Sequence, residues 1–148
     1  MVAVMAIAIS ELREVTDDVV EAFARLLPQL STSAAPLDAT AIRDIVSSPA
    51  VVVLIARSDE MIIGALSLVI FRIPTGTRAW IEDVVVDTAA GRHGTGTALV
   101  REAVERATKA GARSVDLTTR PARVAAGNLY ERAGFTQRDT RVYRYTPS

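Results

Sequence analysis

The run Val84-Val85-Val86-Asp87-Thr88-Ala89-Ala90-Gly91-Arg92-His93-Gly94-Thr95-Gly96-Thr97 decides the fold. Its opening is β-branched and apolar, the end of a strand predicted over 78–86. Its close spaces glycines as G-x-x-G-x-G and leads into an amphipathic helix predicted over 97–110. There Ala98, Leu99, Ala103, Val104 and Ala107 form the apolar stripe, and Arg101, Glu102, Glu105, Arg106 and Lys109 lie between them. Gly111 closes that helix as a C-cap. A strand feeding a glycine turn and a helix start aims free backbone N–H groups and the positive end of a helix dipole at one spot, which suits a pyrophosphate. Gly94 and Gly96 remove side chains where backbone must approach phosphate, and Arg92 adds charge. His93, the only histidine, reads as a solvated loop residue or a minor phosphate contact.

Other readings of the turn fit less well. A P-loop needs Lys-Ser/Thr after the last glycine, and this chain has Thr97-Ala98. A dinucleotide-binding turn follows a first strand and wants G-x-G-x-x-G with an acidic residue roughly twenty positions on, whereas the spacing here is G-x-x-G-x-G, late in the chain. A tight strand-to-helix turn without any ligand remains the alternative on the turn alone.

Upstream, 7–15 alternates loosely as a strand, and Thr16-Asp17-Asp18 opens a helix over 19–27, with Pro28 near its end. A short helix is expected over 38–46, stopped by Pro49. The apolar run 51–56 reads as a strand buried on both faces, paired in a hairpin with a second strand over 61–71. Gly64 inside that second strand weakens it unless a bulge or a close backbone approach is wanted there. Downstream, 115–119 reads as a strand parallel to the one before the glycine turn, 122–132 as a helix, and 135–136 and 142–145 as closing strand pieces. The expected fold is α+β: one domain over 1–148, with a mixed, mostly antiparallel central sheet, one β-α-β crossover and helices on both faces.

Bulk properties narrow the functions. Seventeen basic residues balance seventeen acidic ones, which argues against nucleic acid or an anionic membrane as a mainly electrostatic partner. The chain has no cysteine, which removes thiolate nucleophiles and Cys-based metal sites. A single histidine disfavours a His-rich metal site or a Ser-His-Asp triad, and no metal is expected. The apolar start, 1–9, is short, lacks a basic lead-in and is followed by Glu11 and Arg13, so a cytoplasmic protein without a signal peptide is expected.

A second constellation follows: Ala126-Gly127-Asn128-Leu129-Tyr130-Glu131-Arg132-Ala133-Gly134-Phe135. The glycine turn, amphipathic helix, strand and then A-x-x-x-Y-x-x-x-G-F together resemble the GCN5-related N-acetyltransferase (GNAT) superfamily over 80–135. The resemblance implies a co-substrate, acetyl-CoA, whose pantetheine arm pairs with the strand backbone at Val84, Val85 and Val86. It implies that Arg92, His93, Gly94, Thr95 and Gly96, with Thr97, hold the pyrophosphate. It gives Tyr130 the role of the acid that protonates the leaving thiolate, and sets Asn128 near the cofactor arm. Two positions depart from the family pattern. Gly91 and Arg92 stand where Arg or Gln and then Gly are usual, and Arg123 stands where Asn is frequent.

The acceptor chemistry follows from the residues. Without a cysteine nucleophile, direct attack by an amine in a ternary complex is favoured over a covalent acyl-enzyme. The amine needs a proton acceptor and the carbonyl needs a polarising donor, for which a strand N–H near Val84 or Val86 serves. Tyr130 suits the acid role because its reference pKa, ~10, lies near that of a thiol. Glu82 is the first choice for base or amine anchor and Asp83 the reserve, since alternation lets only one of them face the acceptor; solvated strand-end charges are the plain alternative. Arg120 and Arg123 either grip an acidic group of the acceptor or are simply exposed. Tyr143 and Tyr145 suit an ordinary last strand or the edge of a homodimer. The expected activity is acetyl transfer to a primary amine of a small molecule or peptide. The rival is a non-catalytic acyl-CoA-binding domain of the same fold.

Overall fold

The computed structural model describes residues 6–91 and 93–148; the part of the apolar start before Ala6, and the phosphate contact expected of Arg92, lie outside them. The chain forms two compact units, Met1–Thr118 and Thr119–Ser148.

The first unit carries β1 (Ile7–Glu11), α1 (Asp17–Leu30), α2 (Ala39–Ser47), β2 (Val51–Ser58), β3 (Met61–Ile73), β4 (Gly76–Val86), α3 (Thr95–Lys109) and β5 (Val115–Asp116). The strands form one sheet in the order of the chain. All neighbours are antiparallel except β4 and β5, which the α3 crossover makes parallel. The expected mixed, mostly antiparallel sheet is therefore present.

Register explains the two faces. Ile55, Ala65 and Val85 line up across β2, β3 and β4 and share one buried cluster with Val19, Ala22 and Leu26 of α1 and Ile42 of α2. The opposite face carries Leu54, Leu66, Leu68 and Ile81, and Leu99, Val100, Ala103 and Ala107 of α3 are as deeply buried. That face explains Gly64. A Cβ there would stand 3.2 Å from Leu99 Cδ1, 3.2 Å from Thr95 Cγ2 and 3.1 Å from the Val85 carbonyl oxygen. The glycine seats the start of α3 against the sheet, the close approach the sequence allowed for.

Several boundaries differ from expectation for local reasons. β1 stops at Glu11 rather than running to Val15. α1 runs through Pro28 to Leu30, and Ser31 N–H closes it on the Leu27 carbonyl at 2.9 Å; so near the end, proline forfeits one bond without breaking the helix. α2 starts after Asp38, whose carboxylate accepts from Ala41 N–H at 2.8 Å. α3 begins at Thr95, so Thr95 and Gly96 belong to its first turn and not to the loop.

The second unit holds α4 (Val124–Arg132). Gly134, at φ 98°, turns the chain after it, and Phe135 N–H bonds the Tyr130 carbonyl at 2.9 Å. The Phe135 and Tyr130 rings lie 6.0 Å apart at 59°. The closing strands expected at 135–136 and 142–145 are not formed. Val142, Tyr143 and Tyr145 are 72%, 86% and 88% exposed, so their apolar-polar alternation has no sheet neighbour to bury one face against. No helix among the described residues is long and apolar enough to cross a membrane.

Candidate active site

β4 pairs with β5 only at Ala79–Val115 and Trp80–Asp116. β5 ends at Asp116, and the outer edge of β4 from Ile81 to Val86 has no strand partner among the described residues. Unpaired strand N–H and C=O groups seek an extended partner. Val84 and Val86 are half-buried there, while Val85 points into the α1–α2 core.

A bulge breaks β4 at the same place. Ser67 pairs with Glu82 and Ala65 with Val85, so Leu66 alone faces Asp83 and Val84. Asp83 takes φ 51°, a left-handed conformation that few side chains other than Asn and Asp tolerate. The strict alternation expected at Glu82 and Asp83 therefore fails: the extra residue restarts the pleat, and both carboxylates are exposed. Glu82 is the more constrained, since Trp80 Nε1–H donates to its Oε1 at 2.6 Å. Trp80 itself is half-buried and holds that carboxylate.

After Val86 the chain reaches Asp87, which is buried. Its N–H donates to the Ile63 carbonyl at 2.8 Å. Its Oδ1 accepts from Ala89 N–H at 3.0 Å and from Gln29 Nε2 at 3.2 Å. Its Oδ2 accepts from Arg25 Nη1 at 2.5 Å. Burial pushes this carboxyl up, but the bonds from Ala89, Gln29 and Arg25, with the Arg25 charge, outweigh it and hold the group below its ordinary value. Gln29 Oε1 accepts from Thr88 N–H at 2.9 Å, and Arg25 Nη2 donates to the Ile62 carbonyl at 3.0 Å. Asp87 had no role in the sequence reading. Arg25 and Gln29, four residues apart on one face of α1, were legible as a pair, but nothing in the sequence tied them to a residue about sixty positions on.

Past a single 3-10 turn at Thr88–Ala90, Gly91 takes φ 74°, and Gly94 caps α3 at φ 76°, ψ 17°, which Gly alone adopts freely. The N-cap residue, Gly94, has no side chain to cap α3, and among the described residues no side chain bonds the first-turn amides of Thr95, Gly96 and Thr97. Thr95 is 2% exposed, and its Oγ1 is a buried oxygen without a hydrogen-bond partner among the described residues. An orphan hydroxyl beside uncapped amides fits an oxyanion, and a Cβ on Gly94 would meet nothing within 4 Å. The cradle is thus compatible with the pyrophosphate that the sequence implied. His93 is exposed.

The remaining residues lie in the second unit. Arg120 and Arg123 are exposed before α4, with Arg123 N–H on the Arg120 carbonyl at 2.9 Å. Asn128 is exposed on α4 and Tyr130 is half-buried. Burial holds the Tyr130 hydroxyl above its ordinary value, partly offset by the Arg123 charge two helical turns earlier. The first unit thus brings together Glu82, Asp83, the β4 edge and the α3 start; the second groups Arg123 with Tyr130.

A mixed sheet whose fourth strand bulges, pairs with its parallel neighbour at only two positions and runs through a glycine turn to a helix is the mostly antiparallel α+β fold that the sequence led us to expect. The profile of the acetyltransferase (GNAT) family matches residues 16–135, and the chain belongs to that family. Solved structures agree in fold. A protein of Agrobacterium tumefaciens str. C58 superimposes with a TM-score of 0.83 at 23% identity, covering 94% of this chain and 99% of that one. The glucosamine-6-phosphate N-acetyltransferase of Arabidopsis thaliana gives 0.80 at 22% identity, covering 96% and 99%. A transcriptional regulator of Bacillus halodurans C-125 gives 0.78 at 26% identity, covering 95% and 100%. Among curated proteins, none matches the sequence.

Proposed function

We propose that this protein is an N-acetyltransferase that moves an acetyl group from acetyl-CoA to a primary amine of a small molecule or peptide, by direct attack in a ternary complex. One observation carries the reading. The unpaired edge of β4 leads, within one compact unit, to an uncapped helix start with an orphan buried hydroxyl. A strand edge takes an amide-bearing arm and a helix start takes phosphate, in the order in which a pantetheine arm and a pyrophosphate follow one another. Val84 and Val86 bind the arm, and Gly94, Thr95, Gly96 and Thr97, with Arg92 and His93, hold the pyrophosphate; in the second unit Asn128 is a separate candidate contact to the cofactor. Acetyl-CoA, when bound, supplies an activated acyl carbonyl.

The chain's own groups then handle protons. The Glu82 carboxylate, oriented by Trp80, accepts a proton from the incoming ammonium or anchors it, and Asp83 serves if Glu82 does not. Tyr130 carries its proton at neutral pH, as an ordinary tyrosine does, burial holding its hydroxyl further above that value, and it gives that proton to the departing thiolate. Arg120 and Arg123 offer guanidinium groups to an acidic substituent of the acceptor. The glucosamine phosphate acceptor of the Arabidopsis relative is the kind of amine we would test first. The family profile crosses both units, which supports one working domain. A cytoplasmic setting and pairing of two copies through the exposed segment 142–145 belong to the same proposal.

Thermal unfolding with acetyl-CoA, ATP or NAD tests the cofactor. At a hundredfold excess over Kd, a ligand of the native state adds ~2.7 kcal/mol. For a chain near this size that is roughly 5–10 °C in Tm. A shift with acetyl-CoA alone supports the reading, whereas a shift with ATP or NAD and none with acetyl-CoA refutes it.

A further inference from the structure

The cluster of buried Asp87, half-buried Arg25 and exposed Gln29 makes no contact that the transfer chemistry needs, yet its polar atoms are densely bonded to one another and to backbone. Both Asp87 oxygens, both Gln29 amide atoms and two Arg25 nitrogens are engaged. Its bonds converge on one stretch of backbone, Thr88 and Ala89, where β4 ends and the glycine turn begins. Neither N–H can be satisfied by the sheet, because the strand is over. One is taken by Gln29 from α1 and the other by Asp87 itself. α1 is also locked to β3 through Arg25 and the Ile62 carbonyl. The turn therefore does not hang free between β4 and α3.

We propose that Asp87 and Gln29, backed by Arg25, are positioning residues for the cofactor turn. They tie α1 to the backbone just before it and fix the direction in which Gly91 to Gly94 deliver the α3 amides. This inference rests on the reading that the turn holds the CoA pyrophosphate. A weakly held turn spends entropy when a ligand orders it, and a preordered one does not. Fixing the turn thus raises affinity for CoA without touching it. Because Gln29 reaches the turn from α1, its truncation loosens the turn while leaving the turn's own residues and the buried ion pair intact.

The test uses Gln29→Ala, an exposed helix position where alanine is well tolerated, with Asp87→Asn as a second variant and Asp87→Glu as the attempted rescue. Calorimetry gives Kd for CoA; steady-state kinetics separate KM for acetyl-CoA from kcat and from KM for the amine; amide exchange reads Thr88 and Ala89. The expected result for Gln29→Ala is a rise of roughly 10-fold in Kd and in KM for acetyl-CoA. kcat and the amine KM should hold near wild type, and the Thr88 amide should lose protection. Asp87→Asn should weaken CoA at least as much, and Asp87→Glu should recover part of it. Variants that lower Tm yet bind CoA as tightly as wild type would overturn the proposal, since the cluster would then serve stability alone. Wild-type protein that binds no CoA would overturn this proposal together with the reading beneath it, whereas tight wild-type binding with unmoved variants overturns only the positioning role.

Discussion

Replacing Gly64 by alanine probes the seat of α3 from below. The added methyl would sit 3.1 Å from the Val85 carbonyl oxygen, 3.2 Å from Thr95 Cγ2 and 3.2 Å from Leu99 Cδ1. None of the three yields easily. The carbonyl belongs to the strand paired with β3, and Leu99 and Thr95 are 0% and 2% exposed. Overpacking a filled core costs ~1–3 kcal/mol, and alanine in place of a strand glycine returns ~0.5–1 kcal/mol. The net loss is about 0–2.5 kcal/mol, or up to roughly 10 °C in Tm for a chain near this size. Two of the crowded side chains stand on the first two turns of α3, so the methyl lifts the helix start away from the sheet. CoA affinity should then fall several-fold together with Tm. Chemical denaturation and calorimetric titration on the same preparations measure both. A Gly64→Ala protein as stable as wild type and binding CoA equally well would refute the close seating of α3 and its link to the cofactor site.

Three further outcomes are expected. Tyr130→Phe should lower kcat by about 10²-fold or more while leaving CoA affinity near wild type; equal turnover in stopped-assay kinetics removes Tyr130 as the acid. Gly96→Val should crowd the first turn of α3 and abolish measurable CoA binding with the fold retained by circular dichroism; normal binding would refute the phosphate cradle. Asp87 has a folded-state pKa below its ordinary value. Its stabilisation is therefore present above the unfolded carboxyl pKa, ~4, and is lost as pH falls through the lower folded value. Urea titrations should show Asp87→Asn less stable than wild type at neutral pH, with the gap narrowing below about pH 4; a gap that widens in acid contradicts the sign.

Most of the scaffold was readable because its signals are local. The run of β-branched residues at 51–56, the amphipathic stripe after Gly96 and the glycines at the turn each specify one element through side-chain periodicity or backbone freedom. What escaped was set by pairing across the sheet. The bulge at Asp83 exists only because Leu66 faces two residues of β4, and no pattern within 78–86 announces it. α3 starts at Thr95, and Thr95 and Leu99 seat against Gly64 of another strand, a contact that no local pattern announces. The Arg25–Asp87–Gln29 cluster joins residues about sixty positions apart. At the other end, Tyr143-Arg144-Tyr145 alternates as a strand does, but alternation makes a strand only where a neighbour accepts its hydrogen bonds. The candidate site followed the same division: motifs pointed to the glycine turn and Tyr130 as candidates, and no motif pointed to the cluster behind the turn.

Release of free thiol from acetyl-CoA, followed across a panel of primary amines that includes amino sugars, amino-sugar phosphates and short peptides, tests the central claim most directly. The account predicts amine-dependent thiol release with at least one member and a matching acetylated product by mass spectrometry. Absence of turnover with every amine, while acetyl-CoA still raises the melting temperature, would contradict it and leave a domain that binds acyl-CoA without transferring the acyl group.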